Sequence, residues 1–189
     1  MPRLNVIVAS TRPGRVGRRI GDWFVTAAVR HGAFDDVRLV DLAEIGLPFH
    51  DEPHHPSEGR YVHSHTRGWS SLTAAADAFV FVMPEYNYGF NAPLKNAIDF
   101  LYHEWRYKPV GFVSYGMTSG GLRAVQMIKQ VVTTLNMMPV NDSVPIFLRR
   151  ALDEDGRLVP DPDREAAAEL MLDEVARLAA ALAPVRVTA

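Results

Sequence analysis

The chain has 189 residues, of which 48% are hydrophobic and 22% are charged, and its formal net charge at pH 7 is −2. This composition is typical of one globular domain, and it excludes an intrinsically disordered chain and a strongly basic nucleic-acid-binding protein. Because there is no cysteine, disulfides, thiolate nucleophiles and cysteine-ligated metals are excluded, and any redox chemistry needs a cofactor. No apolar segment approaches the length of a membrane span, so we expect a soluble, cytoplasmic protein that neither inserts into membranes nor binds nucleic acid.

Apolar runs of strand length alternate with helical patterns along the chain, which predicts βαβ units on a parallel sheet. The first strand, Leu4 to Ala9, is almost continuously apolar, as in a strand that is covered on both faces. A helix is predicted over 18–30, with Gly32 at its C-terminal end, and a second strand over 37–42. Residues 43–68 contain prolines and histidines without periodicity, which indicates a long loop.

The second half of the chain repeats the alternation. The predicted strands are 78–83, 110–115 and 144–147, and the predicted helices are 69–76, one that opens at 92–93, 122–136 and one that ends near Pro184. Pro145 should confine the last strand to a sheet edge. Pro139 is predicted to end the helix 122–136, and Asp161 or Asp163 to cap the final helix.

Polar loops follow the first, third and fourth predicted strands. Fold preference suggests an α/β doubly wound, five-stranded parallel sheet in the order 2-1-3-4-5, with helices on both faces, as a single domain over residues 1–189. In such sheets ligands bind outside the carboxyl ends of the strands, at the switch point between strands 1 and 3. The three polar loops should therefore meet at one site.

The first polar loop, STRPGRVG from Ser10 to Gly17, is typical of an anion site. Hydroxyls of Ser10 and Thr11, amides near Gly17 and the guanidinium of Arg12 or Arg15 suit a terminal monophosphate at a helix N-terminus. A dinucleotide fingerprint is disfavoured because Gly-x-Gly-x-x-Gly is absent, and a P-loop is excluded because no Gly-Lys-[Ser/Thr] occurs. An ordinary solvated turn is the alternative for this loop alone.

The other two loops suit a planar heterocycle. The segment PEYNYG, from Pro84 to Gly89, places two aromatic rings and an amide at the end of the third strand, although an ordinary turn with surface tyrosines would look similar. The segment SYGMTSGG, from Ser114 to Gly121, could offer amides to the pyrimidine edge of a flavin, where negative charge collects on reduction. It also suits a helix start capped by Ser119 or Gly120.

Three segments, VASTRPGRVGRRIGDW, MPEYNYGFNAPLKNAID and GFVSYGMTSGGLRAV, resemble the NADPH-dependent FMN reductase family, which includes NAD(P)H:quinone and azo-type reductases. The resemblance implies a flavodoxin-like fold with bound FMN. It also implies that NADPH or NADH gives hydride to flavin N5, from which a quinone, azo compound, flavin or similar small molecule is reduced. No protein side chain is then assigned as a dedicated catalytic acid or base.

The resemblance also implies where the cofactor binds. The phosphate would be held by Ser10, Arg12, Arg15, Val16 and Gly17, beside Thr11. The isoalloxazine would be flanked on one side by Pro84, Glu85, Tyr86, Asn87 and Tyr88, and on the other by Ser114, Tyr115, Gly116 and Gly120. Two residues depart from the pattern of many relatives: Ala9 replaces glycine, and Asn91 replaces proline, which should leave the helix entry less rigid.

Residues 50–65 hold five histidines, but no i, i+4 pair fixes a metal-binding geometry. We therefore expect a solvated lid over the flavin or a subunit contact, and no metal site. The family resemblance and the aromatic residues between Phe100 and Tyr107 predict a homodimer or a dimer of dimers. The alternatives to an enzyme are a non-enzymatic FMN electron carrier and a flavin-free interaction protein of the same fold.

Overall fold

The computed structural model describes residues 2–187, which form a sheet covered by helices on both faces. Five parallel strands lie in the order β2-β1-β3-β5-β6, with the bounds β1 Arg3–Val8, β2 Asp36–Asp41, β3 Ala78–Tyr86, β5 Pro109–Gly116 and β6 Met138–Phe147. A two-residue strand, β4 (Gly89–Phe90), pairs antiparallel with the end of β3. The predicted doubly wound order is confirmed, and only the numbering changes because β4 is counted.

The helices divide between the two faces of the sheet. Their bounds are α1 Gly17–His31, α2 Leu42–Ile45, α3 Ser64–Ala74, α4 Ala92–Asp99, α5 Leu122–Thr134, α6 Leu148–Ala151 and α7 Pro162–Val187. Helices α1 and α7 pack on one face, and α3, α4 and α5 on the other. Within the described range 2–187, no helix combines the length and apolarity needed to cross a membrane.

Strand β1 shows why its sequence is almost continuously apolar. Leu4, Val6 and Val8 pack towards α1 and α7, whereas Ile7 belongs to the core on the opposite face, and all four are fully buried. Alternating side chains of a strand point to opposite faces, so a strand covered on both sides needs apolar residues at every position.

Two elements begin earlier than the sequence predicted. Helix α3 starts at Ser64 instead of residue 69, where the buried carboxylate of Glu52 accepts hydrogen bonds from the amides of Val62 and His63. This support comes from a residue ten positions or more away, so the local pattern does not reveal it. Strand β6 starts at Met138 instead of residue 144. Because β6 lies at the sheet edge, it tolerates the exposed polar residues Asn141 and Asp142, which hid its first half.

Two helix ends also differ from the prediction. Helix α5 ends at Thr134, and Asn136 takes a left-handed φ of 56°, so this turn ends the helix and Pro139 lies within β6. Helix α7 continues through Pro184 to Val187. At its start Asp161 is the capping residue, since its Oδ1 accepts from the amides of Asp163 and Arg164.

Candidate functional site

The three polar loops meet at the carboxyl edge of the sheet around a cavity of about 260 Å³. Most of the predicted residues of the first loop, the β3 end and the β5 end line its wall, namely Ser10, Arg12, Arg15, Val16, Pro84, Glu85, Tyr86, Tyr115 and Gly116. Met117 and Leu148 complete the wall and were not predicted. Thr11 instead lines a neighbouring cavity of about 470 Å³, together with Gly46 to Phe49 and the first turn of α4.

The first loop turns tightly and delivers the start of α1 to this cavity. The amide of Arg15 donates to the carbonyl of Arg12 at 3.1 Å, and Gly14 takes a φ of 70°. Among the residues that the structure describes, no side chain caps α1, and the first turn of the helix carries no acidic residue. The first amides of a helix lack partners within the helix and carry partial positive charge. This end of α1 is therefore suited to an anion.

The two arginines that line the cavity differ in what they already bind. Arg15 Nη2 lies 2.7 Å from Oδ2 of Asp41, a buried carboxylate at the end of β2, and Arg18 Nη1 approaches the same oxygen at 3.5 Å. The charge of Arg15 is therefore partly neutralised. Arg12 is exposed, and its guanidinium makes no hydrogen bond or ion pair with any residue of the described chain. Of these two, Arg12 is free to meet an anionic ligand.

Tyr115 lies directly beneath the first turn of α1. A Cβ on Gly17 would lie 2.4 Å from its hydroxyl oxygen, so only glycine allows this packing. The hydroxyl is buried and makes no hydrogen bond of standard geometry among residues 2–187. Burial raises its pKa above the usual value, and the nearby Ser10 side chain acts in the opposite direction. The hydroxyl therefore stays protonated as a donor. An unpaired buried donor, an uncapped helix start and a free guanidinium together fit the phosphate of a nucleotide cofactor.

The second loop is a tight hairpin between β3 and β4. Tyr86 pairs with Gly89, and the two residues between them, Asn87 and Tyr88, have φ values of 49° and 73°. Two central residues with positive φ are typical of a type I′ turn, which joins antiparallel strands with little distortion. The turn projects Tyr86 back over the first loop, where its hydroxyl lies 2.9 Å from Ser10 Oγ.

The third loop is shaped by glycines that a larger residue could not replace. Gly120 and Gly121 have φ values of 62° and 89°, and a Cβ on Gly121 would lie 2.6 Å from the amide nitrogen of Tyr115. The buried Ser114 hydroxyl donates to the carbonyl of Gly120 at 2.8 Å. Ser114 and Gly120 thus fold the loop, and Gly116 faces the cavity.

The sequence profile of the family described as NADPH-dependent FMN reductase matches residues 2–148. The chain belongs to this family. FMN is accordingly the cofactor of the family's reaction, and NADPH or NADH is its reductant. A cavity at the switch point of the sheet, where such folds bind their ligands, agrees with this assignment.

Individual relatives of this FMN reductase support the assignment. The chain is 44% identical over 138 residues to an NAD(P)H-dependent FMN reductase of Schizosaccharomyces pombe, and the match covers 72% of this chain and 68% of the relative. It is 32% identical over 106 residues to an NADPH:quinone oxidoreductase of Arabidopsis thaliana, covering 51% and 53% of the two chains. The solved structure of FerB, a flavoenzyme NAD(P)H:(acceptor) oxidoreductase from Paracoccus denitrificans, superposes with a TM-score of 0.73 at 18% identity over 96% of this chain and 98% of that one. At that identity the structural match shows the fold alone.

Asn91 supports the site of this FMN reductase in a way that its sequence did not reveal. Its buried side chain donates from Nδ2 to the carbonyl of Ala9 at 2.6 Å, which ties the start of α4 to the end of β1. This hydrogen bond fastens the helix entry that the replacement of proline was expected to leave less rigid. Because Ala9 lies 82 positions earlier in the chain, no local sequence pattern indicates this anchor.

The histidine-rich segment of the FMN reductase wraps against α4. Asn96 accepts from the amide of His50 at 3.0 Å and donates to the carbonyl of Pro48 at 2.7 Å. His65 Nε2 lies 3.0 Å from Oδ1 of Asp51. No group of three or more histidine, cysteine or acidic side chains within residues 2–187 is arranged to hold a metal ion. The residues that directly precede this segment, Gly46 to Phe49, line the larger cavity beside Thr11.

Proposed function

We propose that this chain binds FMN at the carboxyl edge of its sheet and catalyses hydride transfer from NADPH or NADH to a small-molecule acceptor. The observation that carries the proposal is the joining of an unpaired anion-binding loop and an aromatic hairpin around one cavity. Flavin mononucleotide requires both, because it has a phosphate at one end and a planar ring at the other.

The phosphate would be held by the first loop. We assign Ser10, Arg12 and the first turn of α1 to its oxygens, with Thr11 and Val16 as neighbours. Arg15 would add positive charge while it remains anchored on Asp41, and Gly17 would let Tyr115 approach. This division predicts that Arg12 contributes more to phosphate affinity than Arg15 does.

The ring would lie between the second and third loops. Pro84, Tyr86 and Gly116 face the cavity, and Asn87 and Tyr88 form the turn at its rim. Bound FMN supplies the hydride acceptor and donor at N5. The protein orients the ring, leaves room for one substrate at a time, and offers backbone amides towards the ring edge. No side chain needs to act as a dedicated acid or base.

We assign a quinone as the preferred acceptor class, with azo compounds and free flavins as further candidates. The family relation to a plant protein named NADPH:quinone oxidoreductase supports this class. Met117, which is 55% exposed at the cavity wall, offers a polarizable surface for a flat aromatic molecule.

The chain would act as a single domain in a cytoplasmic homodimer or dimer of dimers. Phe100 and Trp105 are fully buried in the core of the chain itself, so they do not support an interface. Phe49 does, because it is 89% exposed beside the apolar cavity of about 470 Å³. Light scattering at micromolar concentration should give at least the mass of a dimer, and a monomeric mass would contradict this assembly.

A spectrum and an assay test the function. The purified protein, as isolated or after addition of FMN, should show flavin absorbance and consume NADPH steadily when a quinone is supplied. A protein that binds FMN without turnover would be an electron carrier. A colourless protein that refuses added FMN would contradict the whole proposal and favour an interaction protein.

A further inference from the structure

Arg123, near the start of α5, contacts the hairpin of the candidate flavin site at three points. Its Nη1 lies 3.0 Å from Oε1 of Glu85, and its backbone amide donates to Oε2 of the same carboxylate at 3.2 Å. Its guanidinium carbon lies 4.0 Å from the centre of the Tyr88 ring. One residue therefore joins both sides of the hairpin to a rigid helix.

The contact with Arg123 compensates the negative charge of the Glu85 carboxylate. Its side chain is only 9% exposed, and the residue belongs to the cavity wall. Burial acts to raise the pKa of Glu85, but hydrogen bonds from Ser119 and Arg123 hold it below the usual value. The group is thus a carboxylate at neutral pH, and Arg123 is the cation that compensates it.

The guanidinium of Arg123 stacks on the outer residue of the turn, Tyr88. Tyr88 is 65% exposed, and its φ of 73° is unfavourable for a bulky residue. The guanidinium stacked on its ring supplies an attraction that is worth about 0.5–1 kcal/mol at an exposed site. Without Arg123, we expect the turn to sample other conformations.

We propose that Arg123 is a positioning residue of the flavin site, which holds the hairpin of residues 85–90 on α5 and neutralises Glu85 beside the ring. This inference rests on the proposed function. Because a flavin gains negative charge at its pyrimidine edge on reduction, an uncompensated carboxylate in the cavity wall would disfavour the reduced cofactor.

The test compares Arg123→Ala and Arg123→Lys with Arg177→Ala, a matched loss of a surface ion pair to Glu174 on α7. FMN affinity is measured by flavin fluorescence quenching, the reduction potential of bound FMN by dye titration, and hairpin opening by amide hydrogen exchange in the protein before FMN is added. We expect Arg123→Ala to raise the Kd for FMN about tenfold, because a hairpin that samples other conformations lowers the fraction of protein that is competent to bind. It should also make the potential more negative and speed exchange at residues 85–90.

Arg123→Lys keeps the charge but not the planar stack, so its potential should return towards the wild-type value while exchange in the hairpin stays fast. In Arg123→Ala/Glu85→Gln the potential should recover further because the carboxylate is gone. Wild-type affinity, potential and exchange in Arg123→Ala would overturn the inference, as would equal changes in Arg177→Ala. If Arg123→Ala does not fold, the lysine variant decides by the same readouts. Failure of the wild-type protein to bind FMN would instead overturn the proposed function, and this inference with it.

Discussion

The amino and carboxyl edges of the sheet, where its parallel strands begin and end, differ in how their polar side chains are paired. At the amino edge, the buried Lys108 ammonium donates to the carbonyls of Thr73 and Ala74, both at 3.0 Å. Asp77 there accepts from Arg186 and from the amide of Arg3, both at 2.8 Å. At the carboxyl edge, Arg12 is unpaired within the described chain and the buried hydroxyl of Tyr115 has no partner there.

This difference shows what distinguishes a binding site from a cleft. The amino edge also has a cavity, of about 390 Å³, which is larger than the cavity of about 260 Å³ at the carboxyl edge. Size alone therefore does not identify the site, since the cavity beside Thr11, of about 470 Å³, is larger than both. Unsatisfied buried groups cost free energy, and they occur at both edges, among them Thr73 Oγ1 at the amino edge and the Tyr115 hydroxyl at the carboxyl edge. The carboxyl edge is distinguished by the guanidinium of Arg12 and the first amides of α1, which lie beside that hydroxyl and suit an anionic ligand.

The largest expected effect is a pH-dependent rise in the free energy of unfolding, which comes from Lys108 at the amino edge. Burial, together with the nearby charge of Arg186, lowers the pKa of Lys108 from 10.5 to about 8. Between these values the unfolded chain binds more protons than the folded one, so the free energy of unfolding should rise with pH, by up to about 3 kcal/mol over the whole interval. Urea unfolding of wild type and Lys108→Met at about pH 8 to 10 should show this rise in wild type only.

Two tyrosines set the upper pH limit of the urea unfolding experiment. Burial raises the pKa of Tyr61 and of Tyr115 above the usual value, so stability that they contribute is lost as pH rises beyond about 10. Wild type and Lys108→Met share this loss of stability. The difference between their curves of unfolding free energy against pH therefore reports the contribution of Lys108 alone. Parallel curves would contradict the lowered pKa of Lys108 and show that the carbonyls of Thr73 and Ala74 fully compensate its buried ammonium.

The next largest expected effect is a loss of FMN affinity when Arg12 at the carboxyl edge is replaced. Arg12→Ala should raise the Kd for FMN about tenfold to a hundredfold, as expected for a lost charge-assisted bond to phosphate. Stability without FMN should stay within about 0.5 kcal/mol of wild type, because Arg12 contacts nothing that its loss would disturb. Arg38→Ala on β2, whose guanidinium is 3.6 Å from Asp36, is the control. Unchanged affinity in Arg12→Ala would mean that the first loop is a solvated turn.

The smallest expected effect is that of Tyr115→Phe, which should have opposite signs in the protein without FMN and in the protein with FMN bound. Tyr115→Phe removes a buried hydroxyl that has no partner, so the protein without FMN should be as stable as wild type or more stable by up to about 1 kcal/mol. FMN affinity should fall by a few-fold, on the order of one neutral hydrogen bond. Thermal melts with and without FMN measure both. A destabilised protein without FMN would show that the hydroxyl already has a partner.

Local sequence patterns predicted the strands and the polar loops of the site, because each depends on features that neighbouring residues carry. The strand order was predicted from fold preference, since the alternation of strands and helices does not determine it, and the hydroxyls and arginines of residues 10–15 suggested an anion site. The pairing of Arg15 with Asp41 could not be predicted in the same way, because the two residues are brought together only when β1 and β2 pair.

Glu85 illustrates the same limit within the site. Its position in the PEYN segment suggests a place beside the ring, yet its carboxylate reaches the first turn of α5, more than thirty residues later in the chain. The early start of α3 has a related cause in Glu52. Contacts between residues that are distant in sequence decided each of these cases, and no periodicity encodes them.

The position of α7 in the chain has a consequence for folding during synthesis. This helix follows every strand, yet Met171 crosses β5 so closely that a Cβ on Gly111 would lie 2.8 Å from its sulfur, and Arg186 reaches back to Asp77 at the start of β3. On the ribosome, the face of the sheet that α7 covers stays open to solvent until this helix emerges. Residues 2–148, which carry the whole candidate site, would then be the aggregation-prone intermediate of the nascent chain.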